Sequence, residues 1–354
     1  MMTPASNRVW RKLHAAGLVD AETRQLADEL TSPWYIKGLL AFSGWLASLF
    51  FLVFLGVTFD FAFREPLNTA LCGAGMLIMA FGLFRTQLNE FLSHAALVLS
   101  LSGQFLLAWA AFDVTQNAFA WLMVAGMQLL LMLLFPNVIH RLVSAFLMVI
   151  SSCVALDLLG CPFVAPSVLL GAAAWLWLHE YTYPQYIKEI NALGYGLLLG
   201  LVVIACVGFY ADGFSLYTDN RTFELLTRPW FEDVLTSIVL LVAVVKVLAI
   251  LEFCWRDRLA IWALVVTLLV CVATIKAPGI SLGWLILLLG FNGSNRVLIG
   301  LGISALLIYL SHYYYQLDTS LMVKSQSLLC LGLVLLGARW SLLKLVASPG
   351  ASHE

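Results

Sequence analysis

Five polar side chains between positions 313 and 327 have a spacing that would bring them together on one side of a helix. They are Tyr313, Gln316, Ser320, Lys324 and Ser327. On a continuous helix they fall within an arc of about 80°, and the same face becomes apolar at Leu331. An ammonium group surrounded by hydroxyl and amide groups can bind an anion, because all of these groups donate hydrogen bonds. The spacing therefore predicts a polar vestibule for a polar or anionic ligand.

A second interpretation of this segment stays open. The residues from His312 to Tyr315 are aromatic, which is typical of the belt that aromatic side chains form at a membrane–water interface. The stem of Lys324 is long enough to carry its amine towards the same interface. In this interpretation the segment is an interfacial anchor and binds no ligand.

Three further polar residues, Gln104, Gln128 and Lys246, lie inside long apolar runs. A polar side chain is costly in hydrocarbon, so each is a candidate intramembrane site. The two glutamines can form hydrogen bonds between helices, worth on the order of 1 kcal/mol each. Lys246 either extends its amine towards the headgroups or pairs with an acidic group on another helix, and the sequence leaves both alternatives open.

Sequence motifs of known enzymes give no catalytic site. Residues 279–283 match the serine motif G-x-S-x-G, but an apolar run follows without a preceding strand, which indicates the start of a helix. His179-Glu180 begins like the zinc motif H-E-x-x-H, but Tyr183 stands at the second histidine position. The seven cysteines are scattered singly. We therefore predict no catalytic residues, no metal ligands and no cofactor.

Composition places the chain in a membrane. It is 62% hydrophobic and only 11% charged, whereas soluble domains contain roughly 25% charged residues. Apolar runs of about 20 residues recur, which is the length that crosses a bilayer as a helix. The fold class predicted is an all-α polytopic membrane protein whose main partner is the lipid bilayer. A formal net charge of −1 gives no basic surface for nucleic acid.

We place about twelve transmembrane helices along the chain, with ten to twelve allowed because the tenth is short. The predicted spans are 38–59, 67–84, 91–112, 119–135, 142–160, 163–179, 190–211, 234–253, 259–275, 280–291, 297–312 and 320–338. Residues 1–37 form a cytosolic amphipathic helical segment and residues 339–354 a short cytosolic tail, on either side of a transmembrane domain over 38–338. The distribution of Lys and Arg puts both termini in the cytoplasm. The longest external loop then runs from Asp212 to Asp233.

The carboxy-terminal part of the chain resembles a bacterial family of multi-pass membrane proteins, the domain of unknown function 4401. The resemblance rests on Gly290-Phe-Asn292, Asn295-Arg296, Tyr313-Tyr-Tyr315, Leu317, Thr319, Leu321, Lys324-Ser325, Leu328 and Gly332. The amino-terminal segment is similar to the start of a related uncharacterised family at Leu13, Gly17, Leu18, Glu22 and Leu26. The resemblance implies a location in the bacterial inner membrane. It also implies a partner, a small membrane-anchored protein with a GDYXXLXY motif, and it brings no activity.

Two functional hypotheses follow from these observations. The first is a non-enzymatic component or scaffold of an envelope membrane assembly, favoured by the scarcity of sequence outside the spans. The second is a transporter or flippase for a polar or anionic small molecule or lipid, which would use the vestibule near Lys324 on the periplasmic side. An enzyme is not expected, because no nucleophile with a base, no paired carboxylates and no metal cluster are found.

Lys324 separates the two interpretations of the vestibule. If it binds an anionic group, Lys324→Met should abolish function at unchanged membrane levels, and Lys324→Arg should rescue it only in part, because a planar guanidinium does not replace a compact ammonium. The measurement is complementation in cells that depend on the chain, with the membrane levels of all variants matched. Full activity of Lys324→Met would show that this segment is only an interfacial anchor.

Overall fold

The computed structural model is all-α and describes residues 34–58, 65–86, 90–210, 229–252, 257–274 and 279–316, with scattered positions between 322 and 340. In these residues there are eleven α-helices. They are α1 (Trp34–Thr58), α2 (Pro66–Arg85), α3 (Glu90–Val114), α4 (Ala118–Leu134), α5 (Val138–Leu158), α6 (Val164–Leu178), α7 (Ile187–Tyr210), α8 (Pro229–Ile250), α9 (Arg258–Thr274), α10 (Ile280–Asn292) and α11 (Arg296–Gln316). Two short 3-10 helices, Glu180–Thr182 and Pro184–Tyr186, connect α6 to α7.

Five of the described helices are long and apolar enough to cross a membrane. These segments are Pro66–Arg85, Ala95–Val114, Val138–Leu158, Ile187–Val207 and Phe231–Ile250. The other six described helices contain shorter apolar segments, and many large apolar side chains on both groups are exposed. A surface of this kind is stable when lipid rather than water covers it. By length and composition the chain is therefore a membrane-embedded protein with several spans.

The first eleven predicted spans each coincide with one helix to within a few residues. The tenth is confirmed as short, since α10 has 13 residues. Two boundaries are wrong. Helix α8 begins at Pro229, so the end of the predicted loop is helical, because proline suits the first position of a helix. Helix α11 continues to Gln316, past the predicted end of the span at residue 312. Both the segment 1–33 and nearly all of the predicted span 320–338 lie outside the described residues.

The chain divides into two compact units, Met1–Leu106 and Leu107–Glu354. In the first unit, α3 packs closely against both α1 and α2. The hydroxyl of Ser102 donates a hydrogen bond to the backbone oxygen of Ser48, 3.4 Å away. A Cβ added at Gly103 would lie 2.7 Å from the backbone oxygen of Gly73. Backbone contact of this closeness is typical of helices packed in a membrane.

In the second unit, α5 and α7 lie side by side and run in the same direction. A Cβ added at Gly196 would collide with the backbone oxygen of Leu142, and one added at Gly200 would lie 2.7 Å from Cβ of Val149. Only glycine allows the two backbones to approach so closely. The two glycines are four residues apart, which is the small-xxx-small spacing typical of closely packed membrane helices.

Helices α10 and α11 form an antiparallel pair in the same unit. Gly283 near the start of α10 contacts Leu306, and Gly290 near its end contacts Ile299. The side chains of Leu285, Ile286 and Leu289 of α10 are almost completely buried in the core of the unit. The motif at 279–283 is part of this pair. Gly279 has φ 85° and α10 begins directly after it, so the predicted helix start is confirmed.

Candidate functional site

The predicted vestibule is described only in part. Tyr313 and Gln316 belong to the end of α11, whereas Ser320, Lys324 and Ser327 lie outside the described residues. Next to them, Tyr315 is 80% exposed, as expected for an aromatic residue at the membrane interface. Whether the five polar residues share one face stays a prediction.

The three intramembrane polar residues have different surroundings. Gln104 in the first unit and Gln128 in the second are both buried, so their amides face protein rather than lipid. Lys246 is exposed on α8, and no described residue forms a salt bridge with it. Both interpretations of Lys246 therefore stay predictions, since an exposed amine can extend towards the headgroups or pair with an acidic group that the structure does not describe.

Helices α6, α8 and α10 run in the direction opposite to that of α5, α7 and α11, which gives the second unit two distinct ends. At one end, the first turns of α6, α8 and α10 meet the last turns of α7. At the other end, the last turn of α6 and the connection from α10 to α11 meet the first turns of α7. Each end contains a buried carboxylate. At the first end it is Asp233, which lies next to Glu232, and at the second end it is Glu180. We call these the Glu232 end and the Glu180 end.

A group of polar side chains around the buried Glu180, which we call the Glu180 cluster, joins the connection from α6 to α7, helix α7 itself and the connection from α10 to α11. It consists of Glu180, Tyr181, Asn191, Tyr195 and Asn295. The amide of Asn191 donates a hydrogen bond to the carboxylate of Glu180. Asn295 Nδ2 lies 2.6 Å from the hydroxyl oxygen of Tyr195, to which it donates. The hydroxyl of Tyr181 donates to the backbone oxygen of Gly293 at 3.0 Å.

Helix capping fixes the position of this cluster. Asn295 Oδ1 accepts hydrogen bonds from the backbone N–H groups of Val297 and Leu298, at 3.1 and 3.2 Å, and so caps α11. The same side chain thereby satisfies a helix terminus and holds Tyr195 of α7. Nearby packing supports the tyrosine, since the ring of Trp177 meets it edge to face with centroids 5.0 Å apart. The cluster therefore locks α6, α7 and the start of α11 together.

The start of α5 carries a neighbouring set of contacts in the second unit. Asn137 caps the helix through the N–H groups of Ile139 and His140. Arg141 donates from Nε to the backbone oxygen of Phe135 at 2.6 Å, and its Nη1 lies 3.6 Å from Oε1 of Glu189 on α7. This partly exposed salt bridge contributes at most about 1 kcal/mol, so it orients α5 more than it stabilises it.

Glu180 is the ionisable group of the cluster. Its side chain is 5% exposed, and this burial raises the pKa of its carboxyl above the ordinary value, while the hydrogen bond from Asn191 acts in the opposite direction. The described residues contain no group of three or more His, Cys, Asp or Glu side chains that could hold a metal ion. Because the pKa of Glu180 is raised, its carboxyl group can hold a proton. The hydrogen bonds of the cluster hold the neighbouring helices together, so its role is structural.

At the Glu232 end, a small cavity lies between four helices, which we call the Glu232 cavity. Its volume is about 30 Å³, enough for one or two water molecules. It is lined by Pro166 and Leu170 of α6, Leu201, Ile204 and Ala205 of α7, Glu232, Asp233 and Thr236 of α8, and Gly279 and Leu282 next to and in α10. Two adjacent carboxylates thus face a mostly apolar enclosure. This combination makes the cavity the strongest candidate binding site among the described residues.

Sequence reasoning misses both ends of the second unit. The contacts of the Glu180 cluster join residues that are far apart in sequence, for example Asn295 and Tyr195, and no local pattern predicts them. Glu232 and Asp233 fall in the predicted external loop, because their charge ends the apolar run. A signal was present in Pro229, which suits the first position of a helix and is followed by two acidic residues in the first turns.

The fold and the polar ends define a membrane-embedded, all-α protein with a closely packed carboxy-terminal unit. Comparison with protein families identifies it further. The chain belongs to the family described as Domain of unknown function (DUF4401), whose family model matches residues 33–345. The resemblance drawn from the carboxy-terminal residues is thereby confirmed. Neither the curated proteins nor the solved structures compared with the chain gave a match.

The raised pKa of Glu180 predicts a pH-dependent stability. The folded protein holds a proton on Glu180 more tightly than the unfolded chain, so the free energy of unfolding falls as pH rises from the ordinary pKa of glutamate through the raised value. Glu180→Gln keeps a hydrogen-bond acceptor for Asn191 and removes the charge. The melting temperature of Glu180→Gln relative to that of the wild type should therefore increase with pH across this window, measured in detergent by thermal denaturation.

Glu189→Gln provides the matched control for this measurement. It removes the carboxylate of the Arg141 salt bridge at the same end, so it should give no gain in stability as pH rises. If the difference in melting temperature between Glu180→Gln and the wild type is the same at all pH values, the ionisation of Glu180 is not linked to folding and the burial argument is wrong.

Proposed function

We propose that this protein is a non-enzymatic component of a membrane assembly, in which its packed helices support a partner protein. The observation that carries the proposal is the closeness of the helix packing in the second unit. Backbones meet at Gly196 and Gly200 between α5 and α7, and at Gly283 and Gly290 between α10 and α11. Helices in such close contact have little free space between them, which suits a supporting role.

The size of the Glu232 cavity supports the same proposal. Sites for organic ligands usually have volumes of about 300–1,000 Å³, whereas this cavity measures about 30 Å³. It has room for water or a small ion, and a polar metabolite or a lipid headgroup does not fit. Transport of an organic solute would therefore require either rearranged helices or residues beyond those described.

The partner proposed is a small membrane-anchored protein with the GDYXXLXY motif. The support for it is the family resemblance, together with the scarcity of extramembrane sequence in this chain, which leaves the bilayer as the main place for contact. The described helices carry many exposed apolar residues, and neighbouring helices in a membrane associate through such surfaces. The location proposed with it is the inner membrane of a bacterium.

A transporter or flippase is the second candidate function. The buried carboxylate of Asp233 favours it, because an ionisable residue inside a membrane-spanning segment commonly marks an ion pathway. Its polar or anionic solute would bind near Lys324, at the predicted vestibule. The two candidate functions differ in what should bind and stabilise the purified chain. The supporting role predicts a partner protein, and the transporter predicts a dissolved solute.

Purification from native membranes tests the proposal. The full chain, tagged and expressed with its chromosomal neighbours, should be recovered in polymer nanodiscs with a membrane-anchored partner in a fixed stoichiometry. Deletion of residues 2–30 should leave insertion intact, since the spans and their flanking charges remain, and should reduce the recovered partner. An unchanged partner yield would show that this segment does not take part in binding.

The contrary outcome is equally specific. If the full chain is recovered without a stoichiometric partner, and a polar or anionic solute stabilises it saturably, the protein is a transporter and the supporting role is wrong. An unrelated polytopic protein carrying the same tag, prepared in parallel, controls for proteins that bind the tag or the polymer.

A further inference from the structure

The first turns of α8 bring two carboxylates into a confined space. Glu232 and Asp233 follow Pro229, and both line the Glu232 cavity. They lie within the apolar segment Phe231–Ile250, which is long enough to span a membrane. Acidic residues near the start of a helix are common, because they interact favourably with the helix dipole. Such residues are usually exposed to water, and Asp233 is not.

Asp233 is buried without a counterpart. Its side chain is 7% exposed, and no described residue donates a hydrogen bond to it or forms a salt bridge with it. The adjacent carboxylate of Glu232 adds a second negative charge instead of neutralising the first. Proteins pair buried charges or use them to coordinate metal ions, because an isolated charge is costly to remove from water. The geometry thus calls for a positive group in the cavity.

The cavity has the size and the ligands for one small cation. Its volume of about 30 Å³ corresponds to one or two water molecules, so an ion with at most one water fits and an organic cation does not. The carboxylates of Asp233 and Glu232 supply oxygen ligands, and Thr236, one turn further along α8, lines the same wall. Oxygen ligands favour hard cations over soft ones.

We propose that the Glu232 cavity binds a single hard inorganic cation, with the carboxylate of Asp233 as its main ligand and Glu232 and Thr236 beside it. The walls of the site come from α6, α7, α8 and the start of α10. A bound cation would therefore join these four helices at the place where two like charges lie side by side. The site is independent of the proposed partner, since it lies inside the second unit.

The experiment is thermal denaturation of the purified full chain in nanodiscs above neutral pH. Choline chloride sets the baseline, and it is replaced by sodium, potassium, magnesium or calcium chloride at equal ionic strength. At least one of these cations should raise the melting temperature saturably, because a ligand that binds only the folded state stabilises it. The cation that acts at the lowest concentration identifies the class, monovalent or divalent.

Variants locate the effect. Asp233→Asn should weaken the apparent affinity for that cation by at least about tenfold, since even an outer-shell partner of a bound ion contributes that much. Thr236→Val, which keeps the shape of the side chain and removes its oxygen, should give a smaller loss. Glu189→Gln removes a carboxylate from the opposite end of the unit and should respond to the cation like the wild type.

Two outcomes would overturn the proposal. The first is an equal melting temperature of the wild type in all five salts. This result would show that a proton or a basic residue of the chain itself neutralises the charge of Asp233. Arg228 and Lys276, which are close in sequence to the cavity walls and lie outside the described residues, are the basic residues to replace in that case. The second is a cation response that Asp233→Asn and Thr236→Val both retain in full, which would place the ion elsewhere.

Discussion

The absence of water inside a bilayer is the constraint on which the structure depends. Every backbone N–H and C=O group in hydrocarbon needs a partner within the protein, which leaves helices as the solution for a chain of long apolar runs. The described residues of this chain accordingly form eleven α-helices and two short 3-10 helices. The same constraint applies to helix ends, and asparagine meets it twice in the second unit, at Asn137 for α5 and at Asn295 for α11. Polar side chains are placed where they complete this pairing.

The packing of the second unit follows from the same solvent. Since lipid is as apolar as leucine, burial of apolar surface drives helix association less than it does in water, and close van der Waals contact becomes more important. Glycine at 196, 200, 283 and 290 provides that contact. The polar groups are then concentrated at the two ends, where Glu180 is satisfied by Asn191 and Asp233 has no described partner. Because of this difference, the Glu180 cluster is structural, whereas the Glu232 cavity is a candidate binding site.

The sequence predicts the class and the positions of most helices, because the length of an apolar run is set directly by the thickness of the bilayer. It also predicts the helix start at 279–283, which depends on local residues, and the close approach at 196–200 likewise follows from a local pattern, two glycines four residues apart. It does not predict the Glu180 cluster, because Tyr181 and Gly293 become neighbours only after α6, α10 and α11 have packed. Asp233 is missed for another reason. Hydropathy assigns a charged residue to a loop, and only the fold shows that this one is buried. The residues of the predicted vestibule beyond Gln316 lie outside the described part of the chain.

If the second unit spans the bilayer as we propose, the Glu180 cluster and the Glu232 cavity lie at opposite faces of the membrane, and every proposal above depends on this placement. The direct test is labelling of single cysteines, placed in a cysteine-free variant, with a thiol reagent that cannot cross the membrane. Lys188→Cys and Ser294→Cys report on the Glu180 end, where both native residues are exposed, and Tyr217→Cys reports on the segment before α8. In intact cells Tyr217→Cys should react and the other two should not, whereas all three should react after permeabilisation. Labelling of all three positions from the same side would contradict the placement of the two ends at opposite faces. Labelling of Lys188→Cys and Ser294→Cys alone would show that the orientation is the reverse of the predicted one.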